Sequence, residues 1–384
     1  MNCKNILGKI DPNRDNAHDF PLLFGLDENV HFHLGTFDAV RGNFTAPSGR
    51  GSPFHSLGNS SIMSTSTFFD TVSAKLWENF EEESNFPSAR PLLAHYTSIQ
   101  TFEQIVTKEQ LWFSNPLFMN DLEELQFGMN EGANELHKSE AIRDACQSEK
   151  NYKLLIQSFS DLFNAFDSQH VLNTYILCFS EHHREDDDGL LSMWRGYGDA
   201  GAGAALVIDT SKIDSRPESP LIIGKVRYGS KAERQELISK KLSDLAKVIQ
   251  EHARVDSDYY QAALAWLHRL TSFALFTKHH GFHEEREWRV VYMSDRDKEK
   301  KFKGFFSHLA TKKGIEPKLK LPIKPVPELL ADDLSLAKIV DRIILGPSVS
   351  SALAANSLRQ MLRNIGQTEL AERVVSSEIP FRAT

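Results

Sequence analysis

Residues 285–293 read Glu-Arg-Glu-Trp-Arg-Val-Val-Tyr-Met, a charged entry running into an apolar, β-branched and aromatic stretch. Such a stretch is the signature of a buried strand, expected here over Glu287 to Met293. Strand side chains alternate faces, so Glu285 and Glu287 are expected to aim their carboxylates the same way from neighbouring pleats. Two carboxylates at one place can divide labour at a reactive sugar or acyl centre. The same spacing puts Arg289 on the face of both glutamates with Arg286 adjacent, and that arrangement also builds an ion-pair ladder.

Working outward, Leu92 to Tyr96, Leu111 to Phe113, Tyr175 to Phe179, Ala204 to Ile208 and Ile222 to Tyr228 read as further strands. Toward the carboxyl end, Leu319 to Ile323, Arg342 to Leu345 and Arg373 to Phe381 complete the set. Helical spacing runs through Ile99, Phe102, Ile105 and Val106, capped by Thr97 or Ser98. Further helices are expected at about Leu122 to Leu136, Glu140 to Cys146, Tyr152 to Phe166, Lys231 to His252 and Ser257 to Thr277. A last one holds Leu353, Leu358, Met361, Leu362 and Ile365, capped by Ser348 or Ser350 and ended by Gly366. Strands and helices mix without steady alternation, which predicts an α+β fold with a mixed, mainly antiparallel sheet and helical insertions. Residues 1–70, rich in Asn, Gly, Ser, Pro and His without sustained periodicity, read as a poorly ordered extension. Residues 71–90 read as a short helix and a linker with an acidic run, Glu81 to Glu83, and residues 91–384 as the compact domain.

A net charge of −8 supplies no overall positive field for nucleic acid. The basic run Lys298, Lys300, Lys301 and Lys303 reads as a solvated loop. Three scattered cysteines, Cys3, Cys146 and Cys178, are too few for a disulfide framework or a four-cysteine zinc site, so no disulfide partner and a reducing, cytoplasmic setting are expected. No apolar run reaches the roughly 18 residues that span a bilayer, and no membrane association is expected.

Three separated clusters carry candidate chemistry. His95 and Thr97 share one face of their strand and could hold a ribose or amide; as core, His95 would only be a satisfied histidine and Thr97 a cap. Around Trp194-Arg195-Gly196-Tyr197, an aromatic ring could stack on a flat ligand and Ser180 could contact a sugar, or Trp194 could anchor its helix to the core. His182, His183 and the aspartates 186 to 188 are adjacent residues that do not easily aim at one ion, and they read as a solvated loop. Cys178 lies within an apolar run and reads as inert core. Asn120, Asp121, Glu123 and Glu124 match a helix-capping pattern. No metal is expected.

His95, Thr97, Phe102 and Ile105, followed by a strand at Leu111, resemble the opening strand and helix of ADP-ribosyltransferase-fold enzymes of the histidine-tyrosine-glutamate group. The ordered segments LLAHYTS, LWFSNPLFMNDLEE, ILCFSE, LLSMWRGYGDAGAGAALVID, KVRYG, KHHGFHEEREWRVV, IILGPS and SSEIPFR also resemble the bacterial domain-of-unknown-function family numbered 2971. The transferase resemblance implies NAD as co-substrate in a cleft formed by His95, Tyr96, Thr97, Ser180, Trp194 and Tyr197. Within it His95 would hold the nicotinamide ribose, Tyr197 would stack on nicotinamide and Glu287 would be the catalytic glutamate. Glu285 would position or activate the acceptor, which could be a protein, a nucleic acid or a small molecule. Bacterial relatives with such chemistry often act as toxins or in antiphage defence. Two other readings stay open: a non-catalytic nucleotide-sensing or interaction module, and a magnesium-dependent hydrolase or nuclease built on Asp121, Glu285 and Glu287. The absence of GxGxxG and of a phosphate-binding loop does not oppose the first reading, because this fold is expected to grip NAD with strand-edge residues.

Overall fold

A computed structural model describes residues 67–79, 84, 86–119, 122–166, 173–214, 219–297, 299–311, 314–326 and 330–381. The amino-terminal extension up to residue 66, the acidic run Glu81 to Glu83, Asn120, Asp121 and Lys298 lie outside these, as does the Glu123 side chain.

The fold is α+β, built on a ten-stranded and mainly antiparallel sheet. Its centre is β3 (Thr174–His182), whose apolar run pairs along one edge with β8 (Glu287–Met293), from Thr174 opposite Met293 to Ser180 opposite Glu287. On its other edge two strands compete for the same residues. β1 (Leu92–Thr97) takes the carboxyl end, Ser180 to His182, while β2 (Gln110–Ser114) meets β3 only through Ser114 opposite Ile176. Among the described residues no strand pairs with 177–179 on this edge, so the sheet forks there. One wing continues from β1 to β4 (Ala204–Asp209), β11 (Val340–Leu345) and β12 (Val374–Ser376). The other runs from β2 to β10 (Gly314–Pro322) and β9 (Phe306–Thr311), and β5 (Leu221–Lys225) flanks β8.

Alternation sorts the side chains to two faces. Leu93, Phe113, Leu177, Phe179, Leu206, Trp288 and Tyr292 belong to one core, covered by the helices Ile99–Lys108 and Ala352–Asn364. On the opposite face, Ile176, Ile222 and Val291 pack under a helical layer dominated by Lys231–His252 and Asp256–Phe276. Beside that layer, Leu92, Ala94, Tyr96, Ala205 and Val207 are covered by the short helix Leu191–Gly196, which carries Trp194. Two covers on one face leave a gap between them, and it lies at the fork.

Several expectations are corrected in detail. The first helix spans Phe68–Leu76, and its Val72 and Leu76 are wholly buried in the helical core, so the packed body reaches back beyond Pro91. The expected strand Ile222 to Tyr228 is two: after Val226 the chain leaves the main sheet, and β6 (Arg227–Gly229) pairs in parallel with β7 (Thr277–His279). The terminal strand shrinks to Val374–Ser376, since the Ser377 hydroxyl and the Glu378 N–H that follow turn to Asp188. Ser98 caps the first domain helix as expected, but Ser351, not Ser348 or Ser350, caps the last long one. Gly203 is required by space: a Cβ there would lie 2.1 Å from the Thr97 carbonyl oxygen. Among the described residues no helix is long and apolar enough to cross a membrane.

Candidate active site

The gap at the fork is a pocket of about 240 Å³, and His95, Tyr197, Glu285 and Glu287 all line it. Cys178 and Ile176 of β3, Trp112 and Ser114 of β2, and Met193 of the Trp-bearing helix complete most of its wall. The sequence clusters, separated by up to 192 positions from His95 to Glu287, therefore meet at one concavity.

By alternation His95 shares the face of Leu93, yet the open edge of β3 lets its ring enter the fork. Its Nδ1–H donates to the Cys178 carbonyl oxygen at 2.9 Å, filling the place a strand would occupy, and the ring meets Phe179 edge-on at 5.6 Å. A carbonyl only accepts, so the tautomer is fixed and Nε2 keeps its lone pair. Burial pushes the imidazole pKa down, and the bond to Cys178 offsets this only in part, so His95 is neutral at pH 7.

The two glutamates converge, but not as neighbouring pleats. Glu285 ends a 3₁₀ turn, His280–Glu285, Arg286 follows in the left-handed conformation at φ 44°, and only Glu287 is in the strand. What draws both carboxylates together is Lys278 on β7, 1% exposed at its side chain, whose Nζ lies 2.6 Å from Glu285 Oε2 and 3.3 Å from Glu287 Oε2. Arg289 clamps Glu287 from the other side, with Nε 2.7 Å from Oε1 and Nη2 3.0 Å from Oε2, and turns Nη1 to the Leu275 carbonyl. The ion-pair ladder is therefore present for Arg289, and Lys278 extends it. Burial at 3% exposure would raise the Glu287 pKa, but Arg289 and Lys278, with a hydrogen bond from Cys178, outweigh it and hold it at about 2. Tyr228 on β6 accepts the Glu287 backbone N–H through its hydroxyl oxygen at 2.8 Å, and its burial pushes the phenol pKa up.

Tyr197 is 40% exposed and donates its hydroxyl to Glu285 Oε1 at 3.1 Å, leaving its ring at the rim. Phe118, also exposed, lines the same rim. The indole N–H of Trp112 is buried in the wall with no partner among the described residues, a cost of about 1–3 kcal/mol unless something accepts from it.

Three of the residues assigned to cofactor binding are placed otherwise. Trp194 is 0% exposed, donates its indole N–H to the Asp188 carbonyl at 2.8 Å and packs edge-on against Tyr96, so it anchors its helix and cannot touch a ligand. Tyr96 does line the pocket, but its ring packs against that tryptophan and its hydroxyl accepts the Leu190 N–H at 2.9 Å. Thr97 is buried opposite Ala204 and does not line the pocket. Ser180 is beside the site rather than open to it: its hydroxyl donates to the Glu285 carbonyl at 2.7 Å and so positions the turn that carries that glutamate. Cys178 is not core alone, since it lines the pocket and bonds to Glu287.

The histidines and aspartates of the acidic loop disperse as their adjacency implies. Arg286 Nη1 donates to His183 Nε2 at 2.7 Å, whereas Asp186 accepts the Asp188 and Gly189 N–H groups. The loop is nonetheless tied down rather than merely solvated, for Arg342 pairs with Asp187 and Asp188 accepts from Ser377 at 3.4 Å. Lys300 and Lys303 are exposed on a turn, and Lys301 pairs with Glu299 at 2.8 Å. Among the described residues, no three His, Cys, Asp or Glu side chains are grouped to hold a metal ion.

Lys278, Tyr228 and Trp112 escaped the reading of the sequence. Each sits in a segment named for its order along the chain, but nothing local marks it. Lys278 simply follows the apolar end of a long helix, and only the pairing of β6 with β7 brings it beside the glutamates.

Comparison with curated proteins and with solved structures gave no match. The model of a family described as "Protein of unknown function (DUF2971)" matches residues 193–290, a span that holds Tyr197, Tyr228, Lys278, Glu285, Glu287 and Arg289 and so supports the resemblance to that family over this half of the pocket.

Proposed function

We propose that the pocket at the fork binds the nicotinamide-ribose end of NAD and cleaves the bond between them, transferring ADP-ribose to an acceptor or to water. The observation that carries this reading is the convergence of His95, Tyr197, Glu285 and Glu287 on one concavity. A volume of about 240 Å³ suits a pyridine ring with its sugar, and the adenosine half would lie across the rim.

In this reading the exposed ring of Tyr197 stacks on nicotinamide. The unpartnered Trp112 N–H donates to the carboxamide oxygen, and His95 Nε2 accepts from a ribose hydroxyl. The C1′–N bond breaks with both electrons leaving on the pyridine nitrogen, which neutralises the pyridinium and puts positive charge on the sugar. Glu287, ionised at all physiological pH values, stabilises that cation. Its Oε2 already accepts from Arg289 Nη2 at 3.0 Å and Lys278 at 3.3 Å, so a sugar hydroxyl would share it with these two cations. An acceptor hydroxyl or water then bonds to C1′ and gives its proton to Glu285, the more accessible carboxylate. Cys146 and Cys178 form no disulfide among the described residues, which suits a cytoplasmic setting. A role as a toxin or antiphage effector rests on the resemblance, and the acceptor's class is set by the assay below.

One observation favours a second reading, a nucleotide-binding sensor without turnover: Lys278 and Arg289 already neutralise both carboxylates. Incubation with NAD labelled in nicotinamide or in the adenylate separates the two. The enzyme releases nicotinamide and loses at least roughly a hundredfold in rate in Glu287→Gln. A sensor binds NAD and releases none. Absence of NAD binding by calorimetry, or unchanged release in a folded Glu287→Gln, overturns the proposal.

A further inference from the structure

A second cavity, of about 600 Å³, lies between the β6–β7 ribbon and the two long helices Lys231–His252 and Asp256–Phe276. It shares no lining residue with the pocket at the fork. Its walls are apolar, from Leu237 and Ile238 on one helix and Leu270, Phe273 and Phe276 on the other. Two of its lining residues, Trp266 and Ser272, are each 1% exposed, and among the described residues Trp266 Nε1 and Ser272 Oγ have no hydrogen-bond partner. Orphaned polar groups at a cavity are where a ligand atom is worth most, because binding relieves a desolvation cost already present in the empty protein.

The described lining carries five basic side chains, Lys225, Arg227, Lys240, Lys241 and Arg269, against one acidic, Asp244. Three of the five are occupied: Lys225 pairs with Glu181, Lys241 donates to the Glu78 carbonyl and Arg269 to that of Leu76. Arg227 and Lys240 are exposed and have no acidic partner among the described residues. A third concavity, of about 700 Å³, is also lined by both of them and by Tyr228, so the two cations stand where the spaces adjoin.

We infer that this cavity is a binding site for a small amphipathic anion, a phosphate, sulfonate or carboxylate on a flat apolar body. The apolar body would lie between the long helices over Trp266 and Ser272, and the anionic group would meet Arg227 and Lys240. Affinity comes from burial of the apolar part, and charge selects the sign of the headgroup.

The test uses the full chain and the fluorescent probe 8-anilinonaphthalene-1-sulfonate, with no reference to NAD turnover. A saturable one-to-one complex is expected. The double variant Arg227→Glu/Lys240→Glu weakens it by roughly tenfold or more and removes most of its salt dependence. Both side chains are exposed, and circular dichroism verifies that the variant is folded. Ser272→Ala leaves the thermal midpoint unchanged or raised, because it deletes an unsatisfied hydroxyl, and weakens the complex. Multiple weak sites, or equal affinity in wild type and double variant, overturn the proposal. Binding seen only after Glu81, Glu82 and Glu83 are changed to Gln reassigns the cavity to the chain's own acidic run and overturns it as well.

Discussion

His95 donates its Nδ1–H to the carbonyl oxygen of Cys178 at 2.9 Å, so a side chain completes the edge of β3 where β1 and β2 part. His95→Ala leaves that carbonyl without a donor inside the fork, and a loss of about 1–2 kcal/mol is expected in urea unfolding. Burial pushes the pKa of His95, and of His182, below 6.5. The folded state therefore favours the neutral rings, and their contribution is complete above about pH 6.5 and declines as pH falls below it. Between about pH 7.5 and about pH 5.5 the urea midpoint of His95→Asn is expected to drop less than that of wild type.

Glu287 adds an acid sensitivity of the same sign at lower pH. Its pKa falls from 4.5 to about 2 in the fold, so the stability it supplies is present above 4.5 and is lost as pH falls toward 2. Glu287→Gln is expected to cost about 3 kcal/mol at neutral pH, because Arg289 keeps a buried charge with no carboxylate beside it. Unfolding curves of the two proteins should draw together below pH 4.5.

Lys278 joins two carboxylates that would otherwise repel. In Lys278→Met, Glu285 and Glu287 face each other with Arg289 alone to compensate, so at least one of them is expected to titrate higher than in wild type. The variant loses about 3 kcal/mol at pH 7 and regains part of it near pH 5, while wild type gains nothing over that range. A urea midpoint that falls in parallel for both proteins removes the bridging role.

Tyr197 offers a ring and a hydroxyl that substitution separates. Tyr197→Phe breaks the 3.1 Å bond to Glu285 but keeps the ring, whereas Tyr197→Ala removes both. Stability is expected to change by less than about 1 kcal/mol in either, since the residue is exposed. NAD affinity by calorimetry is expected to survive in the Phe variant and to fall roughly tenfold or more in Ala. Equal affinities in both would deny the stacking role.

Trp112 gives a sharper contrast between binding and folding. Its indole N–H has no partner among the described residues, so Trp112→Phe is expected to leave the thermal midpoint unchanged or slightly raised. In the same variant NAD affinity should drop by roughly tenfold, the worth of one hydrogen bond to a buried donor. A loss of stability without a loss of affinity points to a donor that serves the fold.

Strands buried on both faces announced themselves in the sequence. Tyr175 to Phe179, Ala204 to Ile208 and Glu287 to Met293 are runs in which no neighbour contradicts the local pattern, and each is a strand. β9, over Phe306–Thr311, carries no strand signal of its own: it is an edge strand with Phe306, His308 and Ala310 exposed that pairs only because β10 lies beside it. β7 is hidden for a related reason, since Thr277 extends the pattern of the preceding helix with no breaker between them.

The candidate site divides along the same line. His95, Tyr197, Glu285 and Glu287 stood out as polar or aromatic groups at strand or helix ends, positions local in sequence and therefore readable. Trp194 and Tyr96 stood out equally and proved to be core, because whether an aromatic residue meets solvent depends on what covers it. Alternation and helical period follow from backbone geometry, so strands, helices and their polar termini were available from the order of residues. Which wing of a forked sheet closes on which turn, and that Lys278 should sit between the carboxylates of Glu285 and Glu287, depend on strand pairings between distant residues, Tyr228 with Lys278 and Ser180 with Glu287. Those contacts exist only once the chain has packed.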